Sequence, residues 1–200
     1  MINRYTQSAL ESLEVARAIA VHSNADTIQP VHLLAASARE PHYVAARAFA
    51  TFGVEYPAFR PLLGIDAGEC HEIHPPMAFS KPLRKVLYSA LEEAAFSGHQ
   101  DICTGHLAVA SLATSDPAVL TLLNALRVSP RQLRSSLFAL LAEDPQAIAR
   151  ESPQPFASNA ERAEWEKIVA STKRLHLGFW KGFVRRQGND VRDKRKELGF

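Results

Sequence analysis

Displaced by 74 residues, the first third of this chain falls onto its second third without a gap. Leu13 lands on Leu87, Ala16 on Ala90, Ala20 on Ala94, Ser23 on Ser97 and Ile28 on Ile102. His32-Leu33 meets His106-Leu107, Ala36-Ser37 meets Ala110-Ser111, and Val54 meets Val128. Most shared positions are apolar or small, the mark of two copies of one packed unit. Such a repeat preserves core rather than chemistry.

Within each copy the period is helical. In repeat one, Ala9, Leu13, Ala16 and Ala20 recur at the spacing of one helix face, predicting a helix from Thr6 to about His22. Thr6 suits its N-cap, and Asn24-Ala25-Asp26 breaks it. Pro30 fits the first turn of a second helix ending near Arg39. A third is expected from Pro41 to Phe52, closed by Gly53, and a shorter fourth from about Pro57 to Leu63. Repeat two carries matching punctuation. Ser80 and Thr104 suit N-caps, Ser97-Gly98 a stop, and Asp116-Pro117 and Ser129-Pro130 further starts. No stretch alternates with β-branched enrichment, so the predicted class is all-α: two tandem four-helix repeats and a C-terminal extension.

The expected organisation is a body over residues 1–142, with repeat one at about 5–63, a link at 64–78 and repeat two at about 79–142. A linker over 143–159, marked by Ser152-Pro153-Gln154-Pro155, leads to an extension over 160–200. Asn159 suits the cap of a last helix to about Leu177. Beyond it Gly178, Gly182 and Gly188 among scattered charges give no period, predicting disorder or order only on a partner. Charge divides along the same line. From Ala160 onward 11 Lys and Arg face 6 Asp and Glu, whereas the first 159 residues hold 12 against 15. Two cysteines form no disulfide framework, no charged-then-apolar leader precedes Tyr5, and no apolar run approaches membrane-spanning length; these features predict a soluble, cytoplasmic protein.

The strings Arg4-Tyr5-Thr6, Val44-Ala45-Ala46-Arg47, Phe79-Ser80 leading to Arg84-Lys85-Val86-Leu87, and His99 to Leu107 (HQDICTGHL) resemble the Clp N-terminal repeat domain, the ClpC type above all. The resemblance spans roughly residues 1–142. It implies two four-helix repeats related by a pseudo-twofold, placed in that family before AAA+ unfoldase rings to receive substrates and adaptors without catalysing a reaction. The phosphate-cradling G-x-x-x-x-G-K-[ST] pattern is absent. The resemblance therefore implies a free-standing protein: an adaptor, a decoy or an accessory factor in Clp-dependent proteolysis. Its implied partners are proteins or peptides, among them a Clp unfoldase, its adaptor or its substrates, and it implies no cofactor.

The family binds peptides at the start of the two first helices, which correspond here to Ile2, Tyr5, Thr6, Phe79, Ser80 and Lys85. ClpC-type domains also place an acidic residue before the motif histidine of each repeat, on an open surface, to help bind phosphoarginine. Val31 and Gly105 stand there instead, and neither can pair with a guanidinium.

Other constellations read as structural. His32 and His106, among apolar neighbours, are expected to be buried imidazoles bonded to backbone, next to core positions Leu33 and Leu107. Cys70, His71 and His74, and the pair Cys103 and His106, match no standard zinc spacing, so no metal is expected. Cys103 with a histidine lacks an evident orienting Asp or Asn, which argues against nucleophilic catalysis. Phe179, Trp180 and Phe183 among Lys181, Arg185 and Arg186 could stack on bases and contact phosphates, giving a nucleic-acid-binding alternative through the basic extension. They could equally lie at a membrane surface or pack onto the body.

Overall fold

The computed structural model describes residues 4–65, 77–143, 146 and 148–151. The chain divides into two units, residues 1–155 and 156–200, and every described residue belongs to the first. The link containing Cys70, His71 and His74, the helix expected after Asn159 and the aromatic-basic segment near Trp180 lie outside the described residues, as does Ile2.

Helix α1 spans Gln7–His22 and begins where Thr6 Oγ1 accepts a hydrogen bond from the amide of Ala9 at 3.1 Å. That bond satisfies one of the first-turn donors that have no partner within the helix. Asn24, at φ 53°, carries the chain out of the helix. Helix α2, Pro30–Ala36, is buried at every residue, as a short helix apolar on all sides must be. Helix α3 spans Val44–Ala50, shorter than expected, because Tyr43 is held extended at the N-cap with its ring buried. Gly53 closes this segment at φ 69°, a left-handed conformation that favours glycine.

Repeat two supplies α4 (Lys81–Ser97), α5 (Thr104–Ala113), α6 (Pro117–Ala125) and α7 (Pro130–Glu143). Ser80 Oγ accepts from the Leu83 amide at 3.2 Å, and Asp116 Oδ1 accepts from Ala118 at 2.9 Å. Gly98 ends α4 in the left-handed region. Thr104 does not cap α5; Cys103 holds the cap position and Thr104 is the first helical residue. The fourth place in repeat one also differs. Two 3-10 turns, Tyr56–Ala58 and Pro61–Leu63, replace an α-helix. Pro61 would lie in the interior of such a helix, where it donates no hydrogen bond and its ring crowds the carbonyl a turn earlier. Its counterpart α7 has proline only at its first position.

The packing repeats with the sequence. α1 lies mainly on α2, α4 mainly on α5, and α2 and α5 meet centrally. Leu33 and Leu107 are both fully buried at that centre. No strand occurs among the described residues, but two isolated parallel bridges pair Tyr5 with Ile102 and Ile28 with Phe79. Thr6 donates its amide to Ile102 O and Ser80 donates to Ile28 O, each at 3.0 Å. Residues 5 and 79 are equivalent positions, as are 28 and 102, so each bridge joins one position to the other repeat's copy of its partner position. That exchange is the bonding signature of a pseudo-twofold. One side carries an addition: Arg4, buried, donates to Asp101 Oδ1 at 2.7 Å.

Candidate functional site

The N-terminal ends of α1 and α4 place the candidate peptide-binding residues unequally. Phe79 is 37% exposed, Ser80 is half-buried and engaged as the α4 cap, and Lys85 is exposed one turn on. Tyr5 is half-buried, and burial pushes its phenol pKa upward. Thr6 is fully buried and donates its hydroxyl to Glu151 Oε2 at 3.1 Å, so it supports the backbone from within and cannot meet a docked partner. Phe79 looks across to repeat one. It lines an open groove of about 710 Å³ together with Leu10, Leu13, Glu11 and Tyr43.

Val31 and Gly105 are both buried, so neither occupies the open surface expected from the resemblance. A Cβ on Gly105 would stand 2.6 Å from Val44 Cγ1, inside normal contact distance. Glycine at 105 is thus fixed by the close approach of α3.

The two motif histidines are built alike. His32 Nδ1 accepts from the Gln29 amide and His106 Nδ1 from the Cys103 amide, each at 3.1 Å. Each imidazole thereby closes the first turn of its helix. Burial lowers His32 to about 4, and burial with neighbouring His99 lowers His106 to about 3, so both rings are neutral at pH 7. His106 Nε2 lies 2.9 Å from His99 Nδ1, one ring donating and the other accepting.

Cys103 Sγ sits 3.3 Å from His106 Nδ1, a contact that resembles a nucleophile with its base. The electrostatics oppose that chemistry. Thiolate–imidazolium catalysis needs the thiol pKa lowered, whereas burial drives Cys103 well upward and His106 downward. Both groups stay neutral. Among the described residues no group of three or more His, Cys, Asp or Glu could hold a metal ion.

Glu151 is the functional group the sequence did not announce. It lies in the 3-10 turn Ala149–Glu151, within the stretch expected to be a linker, yet it is fully buried. Its carboxylate accepts from the amides of Val44 at 2.7 Å and Thr104 at 2.8 Å, and from the hydroxyls of Thr6 and Thr104. One side chain thus closes the starts of α1, α3 and α5. Burial raises its pKa against the opposing pull of those bonds. The folded body therefore reaches at least to residue 151.

Among the described residues these features define a class: an all-helical, pseudo-twofold double repeat in which buried His32, His106 and Glu151 bond the helix starts, with an open groove at one helix end. Residues 78–164 match the family model of the Clp repeat (R) N-terminal domain. It is 25% identical over 164 residues to chaperone protein ClpB of Oceanobacillus iheyensis, covering 80% of this chain and 20% of ClpB. It is 24% identical over 144 residues to the negative regulator of genetic competence ClpC/MecB of Bacillus subtilis, covering 72% of this chain and 18% of that protein. The chain thus spans about a fifth of the length of the curated relatives it matches. Among solved structures, the N-terminal domain of the chaperone ClpD from Arabidopsis thaliana matches with TM-score 0.57 and 19% identity, over 70% of this chain and 96% of that one. The N-domain of ClpV from Vibrio cholerae matches at 0.52 and 16%, over 72% and 87%. A ClpV N-domain in complex with a VipB peptide matches at 0.51 and 17%, over 72% and 89%. These likenesses establish the fold. No single described helix is long and apolar enough to cross a membrane.

Proposed function

We propose that the double repeat captures protein or peptide partners at the N-terminal ends of α1 and α4, without chemistry of its own, as an adaptor, decoy or accessory factor in Clp-dependent proteolysis. Phe79 carries this reading. A large aromatic side chain left 37% exposed beside an apolar-floored groove is the type of residue that dominates interface energetics. Tyr5, at the equivalent place in repeat one, and Lys85, exposed on α4, complete the candidate surface. The neutral Cys103–His106 pair supports a binding role over a hydrolytic one.

The test is capture from native lysate by the tagged full chain, read by mass spectrometry and repeated with Phe79→Ala. Truncation should weaken capture by about 2 kcal/mol, roughly thirtyfold, with little loss of stability. Unfolding of Phe79→Ala, or capture that ignores it, overturns the reading. The excess of Lys and Arg after residue 160 favours one alternative, nucleic-acid binding through the extension. Capture abolished by removing residues 160–200, and falling steeply with salt, would favour that alternative.

A further inference from the structure

The pseudo-twofold gives α1 and α4 the same outward stripe, and the two stripes carry opposite charge. On α1 the positions i, i+3, i+4 and i+7 are Gln7, Leu10, Glu11 and Glu14; on α4 they are Lys81, Arg84, Lys85 and Tyr88. Glu11 and Lys85 are one position in two copies, both exposed. The reversal falls on exposed positions of two helices that pack in the same way, α1 on α2 and α4 on α5.

On the α1 side the carboxylates are not all held alike. Glu14 pairs with Arg17, and Glu40, also on the groove, pairs with Arg39 at 3.3 Å. Among the described residues Glu11 instead accepts from neutral donors, the Gln7 amide and the Tyr43 hydroxyl, each at 3.0 Å. Those bonds fix the carboxylate at the groove without cancelling its charge. Around it stand Leu10, Leu13 and the exposed ring of Phe79.

Resting on the peptide-binding reading above, we infer that the α1 groove takes a cationic peptide segment, with a Lys or Arg on Glu11 and an apolar side chain against Phe79, Leu10 and Leu13. The carboxylate selects the sign of the partner, while apolar contact supplies most of the affinity, the usual division between rim charge and buried anchor. The α4 stripe excludes the same segment by like charge.

The experiment is fluorescence anisotropy on the full chain with two labelled synthetic decapeptides. One interleaves Lys and Arg with Leu and Phe; its twin has Glu at every cationic position. The chain's net charge is +2, so overall charge does not favour the cationic peptide. It should nevertheless bind about tenfold or more tightly than its twin. Glu11→Gln, which keeps an oxygen for Tyr43, should remove most of that preference, and Phe79→Ala should weaken binding. Circular dichroism melts establish that each variant is folded. Tighter binding of the acidic twin with loss on Lys85→Glu, or cationic binding indifferent to Glu11→Gln, overturns the inference while leaving peptide binding standing. Failure of the folded protein to bind either peptide overturns both.

Discussion

His32 and His106 show how a residue can be invariant between two repeats without touching a ligand. Each ring nitrogen accepts a first-turn amide, a task that requires the neutral form. The sign of the pH dependence follows. Their folded pKa values, about 4 and about 3, lie below the ordinary 6.5, so the unfolded chain binds more protons in between. The stability they contribute is complete above about pH 6.5 and is lost as pH falls toward those values. Glu151, with its pKa raised, works in the opposite sense: its contribution is present in acid and lost as pH rises through the folded value. A difference measurement separates the two. The Tm gap between the wild type and His32→Gln should narrow from pH 7 to pH 5, and a constant gap would refute a neutral, amide-accepting His32. Glu151 itself is held at separations of 145, 107 and 47 residues from Thr6, Val44 and Thr104, so no local pattern could have revealed it. Glu151→Ala leaves the Val44 and Thr104 amides buried without their acceptor, at about 1–3 kcal/mol each. Urea unfolding should register a loss of about 3 kcal/mol, with a smaller loss for Glu151→Gln; less than about 1 kcal/mol would mean that water takes over.

At the scale of the helices, the chain's punctuation was legible because capping is local chemistry. Thr6, Ser80, Asp116, Gly53 and Gly98 all perform the roles their residue types suggest. Residue type alone misplaces Thr104 as a cap. Its repeat mate is Pro30, already placed in the first turn of α2, and the 74-residue offset therefore held the correct answer. Two 3-10 turns stand where a helix is expected because one proline at a helix start is harmless, whereas a second four residues later is not. In sequence Gly105 stands out for the acidic residue it replaces, while its contact with α3 depends on tertiary approach and leaves no sequence trace. Alanine there improves helix propensity by up to about 1 kcal/mol but forces its methyl into Val44. Gly105→Ala should therefore destabilise by about 1–3 kcal/mol, and Val44→Ala should be less costly in its presence than alone. Additive losses in a double-mutant cycle would show that α3 simply moves away.

For the whole molecule, the internal repeat said that two halves are alike without saying how they touch. The bridges supply that: each half lends its opening segment to the other, which brings Phe79 of repeat two over the groove of repeat one. The groove was accordingly invisible in sequence, although its aromatic member was not. The halves are also unequal, since Arg4 and Asp101 reinforce one bridge, while the equivalent positions at the other are Ala78 and Thr27.

The exchange has a consequence for synthesis. The chain leaves the ribosome from its N-terminus, and Ile28 must wait for about 50 further residues, and Tyr5 for about 100, before its bonding partner exists. At roughly 5–20 residues per second, the edge of repeat one stays open for about 5–20 seconds. Its helices can form within microseconds, yet they have nothing to close against. During that interval the nascent repeat presents the unsatisfied apolar and backbone groups that holding chaperones bind.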